Sequence, residues 1–496
     1  MATPVCIIIP PSPFLMDDKV FPFLGPLKVA AVLEKAGWPV DVLDLSSIKN
    51  FTDATKGYVH SSATRHFGIT ATTPQFPAAV RIAEAIRSAR TDARIIIGGT
   101  HATLVVAAQK YEATQQRIGR AHAAYRQLEE RFDVIVSGDG EETIFRATED
   151  DAPKLIDVDV FPLALTSKRL DVTPLPARHL INLPSYRYTI DGVAATSLIA
   201  QLGCPYKCGF CAGRASPMLR NIRTRSDENI VKEMTSLYQT YGYRGFMFYD
   251  DELNVNPNMV GLMQKIATAQ RDLGVEWKLR GFVKSERFTD EQAEAMFEAG
   301  FRQLLVGFES GSPRILENIQ KIATRDDNTR CMDNARRHGL KVKALMSLGH
   351  PGESEQTIDE TRGWLLDARP SDFDVTIITP YPGSPYYDHA LPHKGSGMED
   401  VWTYTCKSGD RLHQKEVNYA LEADYYKGDP SDGYVSHVWT DHLSPETLVA
   451  RRNELEAEVR QKLGIPFHQS RPARMYEHSM GQSPMQYIVR SSEPLS

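Results

Sequence analysis

Short apolar runs alternate with helical stretches along most of this chain, in two separate series. Val5-Cys-Ile-Ile-Ile9 ends at Pro10-Pro11, the pattern of a buried strand with a stop. A helical stretch over 26–35 closes at Gly37, and residues 40–45, 66–71, 94–98 and 133–137 read as further strands. Strands separated by helices predict a doubly wound parallel sheet over residues 1–150. The long stretch 103–132, rich in Ala, Gln, Glu and Arg, reads as an extended surface helix or a helical pair.

Pro153, Pro162, Pro174, Pro176 and Pro184 interrupt every element in 151–195, which predicts a linker with turns. The second series has strands at 196–201, 245–249, 276–280, 303–308, 341–348 and 374–379, with helical patterns such as 227–241, 290–299 and 354–366 between them. Six βα units are too few for a closed eight-fold barrel. Residues 196–390 therefore predict a partial (β/α)6 TIM-like barrel, and the fold class is α/β. Residues 391–496 change character: aromatic and histidine residues abound without strand alternation, an accessory region suited to capping the barrel mouth. One clean helix is expected there, 444–463, with Ser444 as its cap and Pro445 in its first turn.

A hydrophobic content of 42% and charged content of 24% are those of an ordinary globular protein, and a net charge of −6 disfavours a broad nucleic-acid surface. No apolar run approaches the roughly 18 residues of a membrane span, and the first residues lack the basic start of a signal peptide. Six cysteines in 496 residues, three of them clustered, point to a reducing cytoplasmic setting rather than a disulfide framework. Cys6, Cys331 and Cys406 read as ordinary thiols.

The cluster is Cys204-Pro-Tyr-Lys-Cys208-Gly-Phe-Cys211. Structural zinc takes four closed ligands, and no fourth Cys or His lies nearby; ferredoxin runs also recruit a fourth Cys. Three thiolates suggest a four-iron cluster with one iron open. The loop follows the first strand of the second series, hence the carboxyl end where α/β barrels hold their chemistry.

This spacing, with Phe210 before the last cysteine, resembles the cluster loop of the radical S-adenosylmethionine enzymes. The resemblance implies a [4Fe-4S] cluster on Cys204, Cys208 and Cys211, with S-adenosylmethionine on the open iron. It implies an external one-electron donor such as flavodoxin or ferredoxin, and cleavage to a 5′-deoxyadenosyl radical. Asp250, Asp251 and Glu252 end the second strand, where the resemblance places the contact to the cofactor's ammonium group. Gly307-Phe-Glu309-Ser-Gly311 ends the fourth and implies a cofactor contact by Glu309. Arg280, expected at the end of the third, could pair with the cofactor's carboxylate or form a structural salt bridge. Leu348-Gly-His-Pro-Gly-Glu353 reads as a turn near the cofactor, and Thr379-Pro-Tyr-Pro-Gly383 as an adenine wall.

In the first domain, His66-Phe-Gly-Ile-Thr70, Gly98-Gly-Thr-His-Ala102 and Gly138-Asp-Gly-Glu-Glu142 are expected at strand ends, where glycines admit a bulky ligand. No G-x-G-x-x-G follows a strand, which disfavours a dinucleotide. With the cluster loop, this Rossmann-like region resembles the cobalamin-binding domain of cobalamin-dependent radical enzymes. The Asp-x-His-x-x-Gly motif that supplies an axial histidine in many cobalamin proteins is absent, so the domain either binds the corrinoid without that ligand or has lost it. Neither His66 nor His101 is taken as a ligand. The favoured activity is C-methylation of a small-molecule metabolite. The alternatives are deoxygenation or dehydration of a sugar-like alcohol, oxidative cyclisation, or an iron–sulfur or cobalamin sensor. No residue is singled out as the catalytic acid, base or hydrogen donor.

Overall fold

The computed structural model describes residues 3–12, 18–393, 400–422 and 435–466. A six-stranded parallel sheet is built from β1 (Val5–Ile9), β2 (Val40–Asp44), β3 (His66–Thr70), β4 (Arg94–Gly98), β5 (Val134–Ser137) and β6 (Leu155–Asp157), in the order β2-β1-β3-β4-β5-β6. All five residues of β1 are buried, as a strand covered by helices on both faces requires. The strand order reverses between β1 and β3, which opens a crevice at their carboxyl ends.

The second sheet holds β7 (Thr189–Ile190), β8 (Val193–Leu198), β11 (Gly245–Phe248), β12 (Lys278–Phe282), β13 (Phe301–Glu309), β14 (Lys341–Leu348) and β15 (Asp372–Ile377). Its order, β15-β14-β13-β12-β11-β8-β7, is open, with six parallel strands and β7 added antiparallel: a curled half-barrel. A short ribbon of β9 (Gln201–Leu202) and β10 (Arg223–Thr224) brackets the cysteine loop. Alternate strand residues such as Phe246, Phe248, Leu304 and Val306 pack outward in the main core. The intervening Ala195, Met247, Leu305 and Leu345 face Val20, Phe21, Tyr188 and Ile190, which plug the concave side. Val20 and Phe21 belong to the β1 loop of the first domain, so the two domains share this interior.

Several expectations change. Residues 151–195 carry β6 and β7 as well as turns, because prolines fall between these short strands rather than within them. The stretch 103–132 is a helical pair, Thr100–Thr114 and Arg120–Arg131, but residues 101–108 are buried. They are covered by β5 and by the turn Ala212–Ala215 after the cysteines. The tail has strands after all: β16 (Leu391–Pro392), β17 (Val401–Thr405), β18 (Arg411–Lys415) and β19 (Val438–Thr440) form an antiparallel sheet. Its strands are short and its buried positions hold polar residues such as His413 and Gln414, which hides the alternation. The last described helix, Pro445–Leu463, starts as expected, with Ser444 accepting the Thr447 N–H.

His101 is 1% exposed, lies 4.1 Å from the Phe76 ring and has Nδ1 3.2 Å from Thr73 Oγ1. Burial pulls its imidazole down to about 3. A depressed basic group keeps its stabilising effect above the unfolded value near 6.5 and loses it as pH falls through the window from there to about 3. At pH 5 the loss is about 2 kcal/mol. Buried carboxyls such as Glu353, raised to about 7 by burial, titrate with the opposite sign. The expected result is therefore a difference: thermal melts of His101→Gln should lose less stability than wild type between pH 7 and pH 5.

Candidate active site between the half-barrel and the parallel sheet

The cysteine loop leaves the sheet through Gly203, whose φ of +87° and approach to Asn221 leave no room for a side chain: a Cβ would lie 2.2 Å from the Asn221 carbonyl oxygen. Backbone bonds then fix the loop. Cys204 N–H donates to Leu219 O (3.0 Å), Gly209 N–H to Ile319 O (2.7 Å) and Cys211 N–H to Cys208 O (3.2 Å). Two guanidiniums hold three consecutive carbonyls: Arg214 donates to Lys207 O (2.6 Å), and Arg220 to Pro205 O and Tyr206 O. The three thiols are free, partly exposed and within electrostatic reach of one another. Burial pushes Cys204 up to about 11 and Cys211 to about 12, and it raises Cys208 despite the nearby ammonium of Lys321. Among the described residues no three His, Cys, Asp or Glu side chains close round a single ion.

Cys211 opens onto a cavity of about 810 Å³ between the half-barrel and the first domain. The barrel contributes Phe210, Tyr249, Glu309, His350 and Tyr381; the first domain contributes Phe21, Phe23, Thr72 and Thr100. No Lys or Arg lines it among the described residues. A second, smaller trough of about 340 Å³ lies over the carboxyl ends of the first sheet, lined by Gly68, Gly98, Gly138, Glu141 and, from the barrel, Gly203 and Asp251. Thr100 lines both spaces.

Glu309 sits at the end of β13, after a register irregularity and at φ +65°. Its Oε1 accepts from Lys321 Nζ (3.0 Å) and its Oε2 from Ser347 Oγ (3.0 Å). Burial alone would raise this carboxyl, but its contacts, Lys321 foremost and then His350 and Ser347, together outweigh it, and Glu309 stays below the usual range. His350 continues the chain: Nε2 lies 2.8 Å from Ser347 Oγ and Nδ1 3.3 Å from Tyr386 Oη, with its ring 5.6 Å from Phe210. Burial lowers it to about 4, so the ring is neutral at pH 7. With Ser347 donating to Glu309, the His350 Nε2–H donates to Ser347 and the Tyr386 hydroxyl to Nδ1.

The other expected residues separate. Asp250 is 2% exposed and braces the turn before the cysteines, where its Oδ1 accepts from Ala200 N–H (3.0 Å) and Gln201 N–H (2.5 Å). Burial raises Asp250 to about 7, and Glu252 likewise. Asp250 Oδ2 and Glu252 Oε2 are buried without a hydrogen-bond partner among the described residues. Asp251 is exposed at the trough edge. Arg280 lies in the middle of β12, not at its end; it is 4% exposed, donates to Tyr188 Oη (2.6 Å) within the interior plug and does not line the cavity. His66 begins β3 rather than ending it, so it sits at the far edge from the trough, and His101 lines neither space. Lys321 and Ser347 were not foreseen as part of the site. Lys321 is directed inward by Gln320, whose φ of +54° turns the chain sharply.

A half-barrel with a cysteine-trio loop at its strand ends, joined to a doubly wound sheet with a glycine-floored trough, defines a radical-type cofactor enzyme. Residues 198–365 match the model of the radical SAM superfamily and residues 20–128 that of the B12 binding domain. The chain is 27% identical over 332 residues to an uncharacterized methyltransferase of Pyrococcus horikoshii, covering 65% of this chain and 69% of that one. It is 25% identical to the bacteriochlorophyllide d C-12(1)-methyltransferase of Chlorobaculum tepidum, covering 47% of this chain and about half (51%) of that one. In fold it is similar to the radical S-adenosylmethionine methyltransferase TsrM of Kitasatospora setae, solved with cobalamin and a [4Fe-4S] cluster (TM-score 0.65, 17% identity, 92% of this chain and 91% of that one). The chain carries a radical SAM domain and, ahead of it, a B12 binding domain.

Proposed function

We propose that the chain is a cobalamin-dependent radical S-adenosylmethionine methyltransferase acting on carbon in a small apolar or aromatic molecule. The adjacency of the two spaces, which share Thr100 as a lining residue, carries this reading: a corrinoid over the trough and a substrate in the larger cavity would be neighbours. When bound, the cluster supplies the electron that cleaves S-adenosylmethionine, and the corrinoid carries the methyl group.

The residues present fit these groups. Cys204, Cys208 and Cys211 offer three free, partly exposed thiols on one short loop, a donor set suited to a cluster. Their burial favours the neutral thiol, so a cationic cluster is needed to hold them as thiolates. Asp250 Oδ2 and Glu252 Oε2 are buried acceptors without a partner among the described residues, but of the three acids only Asp251 borders one of the two spaces and would face a bound group. Glu309, held anionic by Lys321 and aimed by Ser347, would receive a cationic or hydroxyl group of S-adenosylmethionine in the cavity. Arg280 is better suited to bracing Tyr188 than to binding a carboxylate. His350 is neutral and is not a proton donor at pH 7. The aromatic walls Phe21, Phe210 and Tyr249 favour an apolar or aromatic substrate.

Gly98 tests the corrinoid assignment. It lines the trough, its φ is not positive, and an added Cβ meets only Val136 at 3.8 Å, an ordinary contact. Gly98→Leu should fold and hold iron like wild type yet bind hydroxocobalamin at least about tenfold more weakly, the effect of overfilling a shaped site. Equal corrinoid uptake by both proteins, or none by wild type, would defeat the proposal.

A further inference from the structure

The outer side of the cysteine loop is a different surface from the cavity. Between Cys204 and Ser226 the chain carries Lys207, Arg214, Arg220, Arg223 and Arg225 and no acid. Arg223 and Arg225 turn inward to Asp139 and Glu233. Lys207, Arg214 and Arg220 make no ion pair among the described residues; their neighbours are loop carbonyls and Gln320. Exposed Arg287 joins them through the Tyr206 hydroxyl, again without an acid partner among the described residues. Beside these cations the strained Gln320 sends Lys321 in and Ile322 out, leaving Ile322 67% exposed. Gly209 bonds to Ile319 and Arg214 to Gln320, so this apolar tip lies directly against the cysteine loop.

An apolar point with a cationic rim, on a chain of net charge −6, has the make-up of a docking site for an acidic protein. We infer that Lys207, Arg214, Arg220, Arg287 and Ile322 form the landing surface for an acidic one-electron carrier protein of the flavodoxin or ferredoxin kind. The inference rests on the function proposed above, because only an enzyme that must receive an electron at the cysteine loop needs such a partner there. The carrier leaves oxidised by one electron, the enzyme gains that electron, and no atom is exchanged. The loop's other side faces the reaction cavity, so a carrier on the outer face reaches the cysteines without opening that cavity to water.

The test is binding of a purified acidic flavodoxin to the full chain by calorimetry, with wild type and the double variant Lys207→Glu/Arg287→Glu. Both side chains point to solvent and neither lines the cavity. Wild-type affinity should fall about tenfold or more between 50 and 200 mM salt, and the double reversal should cost at least about tenfold at low salt. Iron content and dithionite-driven cleavage of S-adenosylmethionine should stay within about twofold of wild type, since dithionite needs no docking surface. Unchanged flavodoxin affinity in the variant, or no wild-type binding to flavodoxin or to an acidic ferredoxin at low salt, would overturn the inference. So would equally tight binding of an acidic polymer such as heparin. Failure of wild type to cleave S-adenosylmethionine with dithionite would instead count against the proposed function, while the binding measurement still decides the surface.

Discussion

Replacing Cys204, Cys208 or Cys211 singly with alanine is expected to lower bound iron from about four per chain to well under one after anaerobic reconstitution. Cleavage of S-adenosylmethionine should fall by about a thousandfold or more, since no other group in the cavity can deliver an electron. The loop itself should survive. Its shape is held by Gly203, by bonds from the Cys204, Gly209 and Cys211 backbones, and by Arg214 and Arg220, none of which uses a thiol. Melting temperature of the metal-free proteins should therefore differ little between wild type and variants. A variant that kept its iron and its turnover would show that the trio is not the ligand set.

The second large effect lies at Lys321. The residue is 7% exposed, and its ammonium bonds to Glu309 and to the Gly307 carbonyl. Lys321→Met removes one partner of a buried ion pair and leaves the other without compensation, at an expected cost of about 3–5 kcal/mol. Burial would then drive Glu309 toward its protonated form, so the variant should lose cofactor affinity as well as stability. The double variant Lys321→Met/Glu309→Gln should recover at least half of the lost stability, because it removes the orphaned charge. It should remain inactive, which separates the energetic role of the pair from its role in the cavity. Denaturant unfolding of the metal-free proteins gives the first quantity and the rate of 5′-deoxyadenosine formation the second.

Most strands of both sheets were legible because parallel strands covered on two faces read as apolar runs, as Val5–Ile9 does throughout, whereas the three- and two-residue strands β6 and β7 are too short to show a pattern. The cysteine loop and Glu309 were legible as local motifs at strand ends. What was not legible depends on partners far apart in sequence. Asp250 reads as one of three adjacent acids until the turn at Ala200 and Gln201 folds over it. Arg280 was misplaced because β12 runs two residues past it and its partner Tyr188 lies in a stretch that reads as linker. The Glu309–Ser347–His350–Tyr386 chain joins the ends of β13 and β14 to the short helix Pro385–Asp388, which no local pattern connects. The tail sheet was hidden by polar side chains buried against one another, as in His413 bonded to Thr403 and Asp441.

One measurement addresses the central claim most directly. The reconstituted, reduced enzyme is given hydroxocobalamin, methyl-labelled S-adenosylmethionine and a panel of neutral aromatic and apolar metabolites, and its products are counted. The account predicts label on a carbon of one substrate, together with both S-adenosylhomocysteine and 5′-deoxyadenosine, all dependent on the corrinoid. Formation of 5′-deoxyadenosine alone, unchanged when the corrinoid is left out and with no label in the transformed substrate, would contradict it.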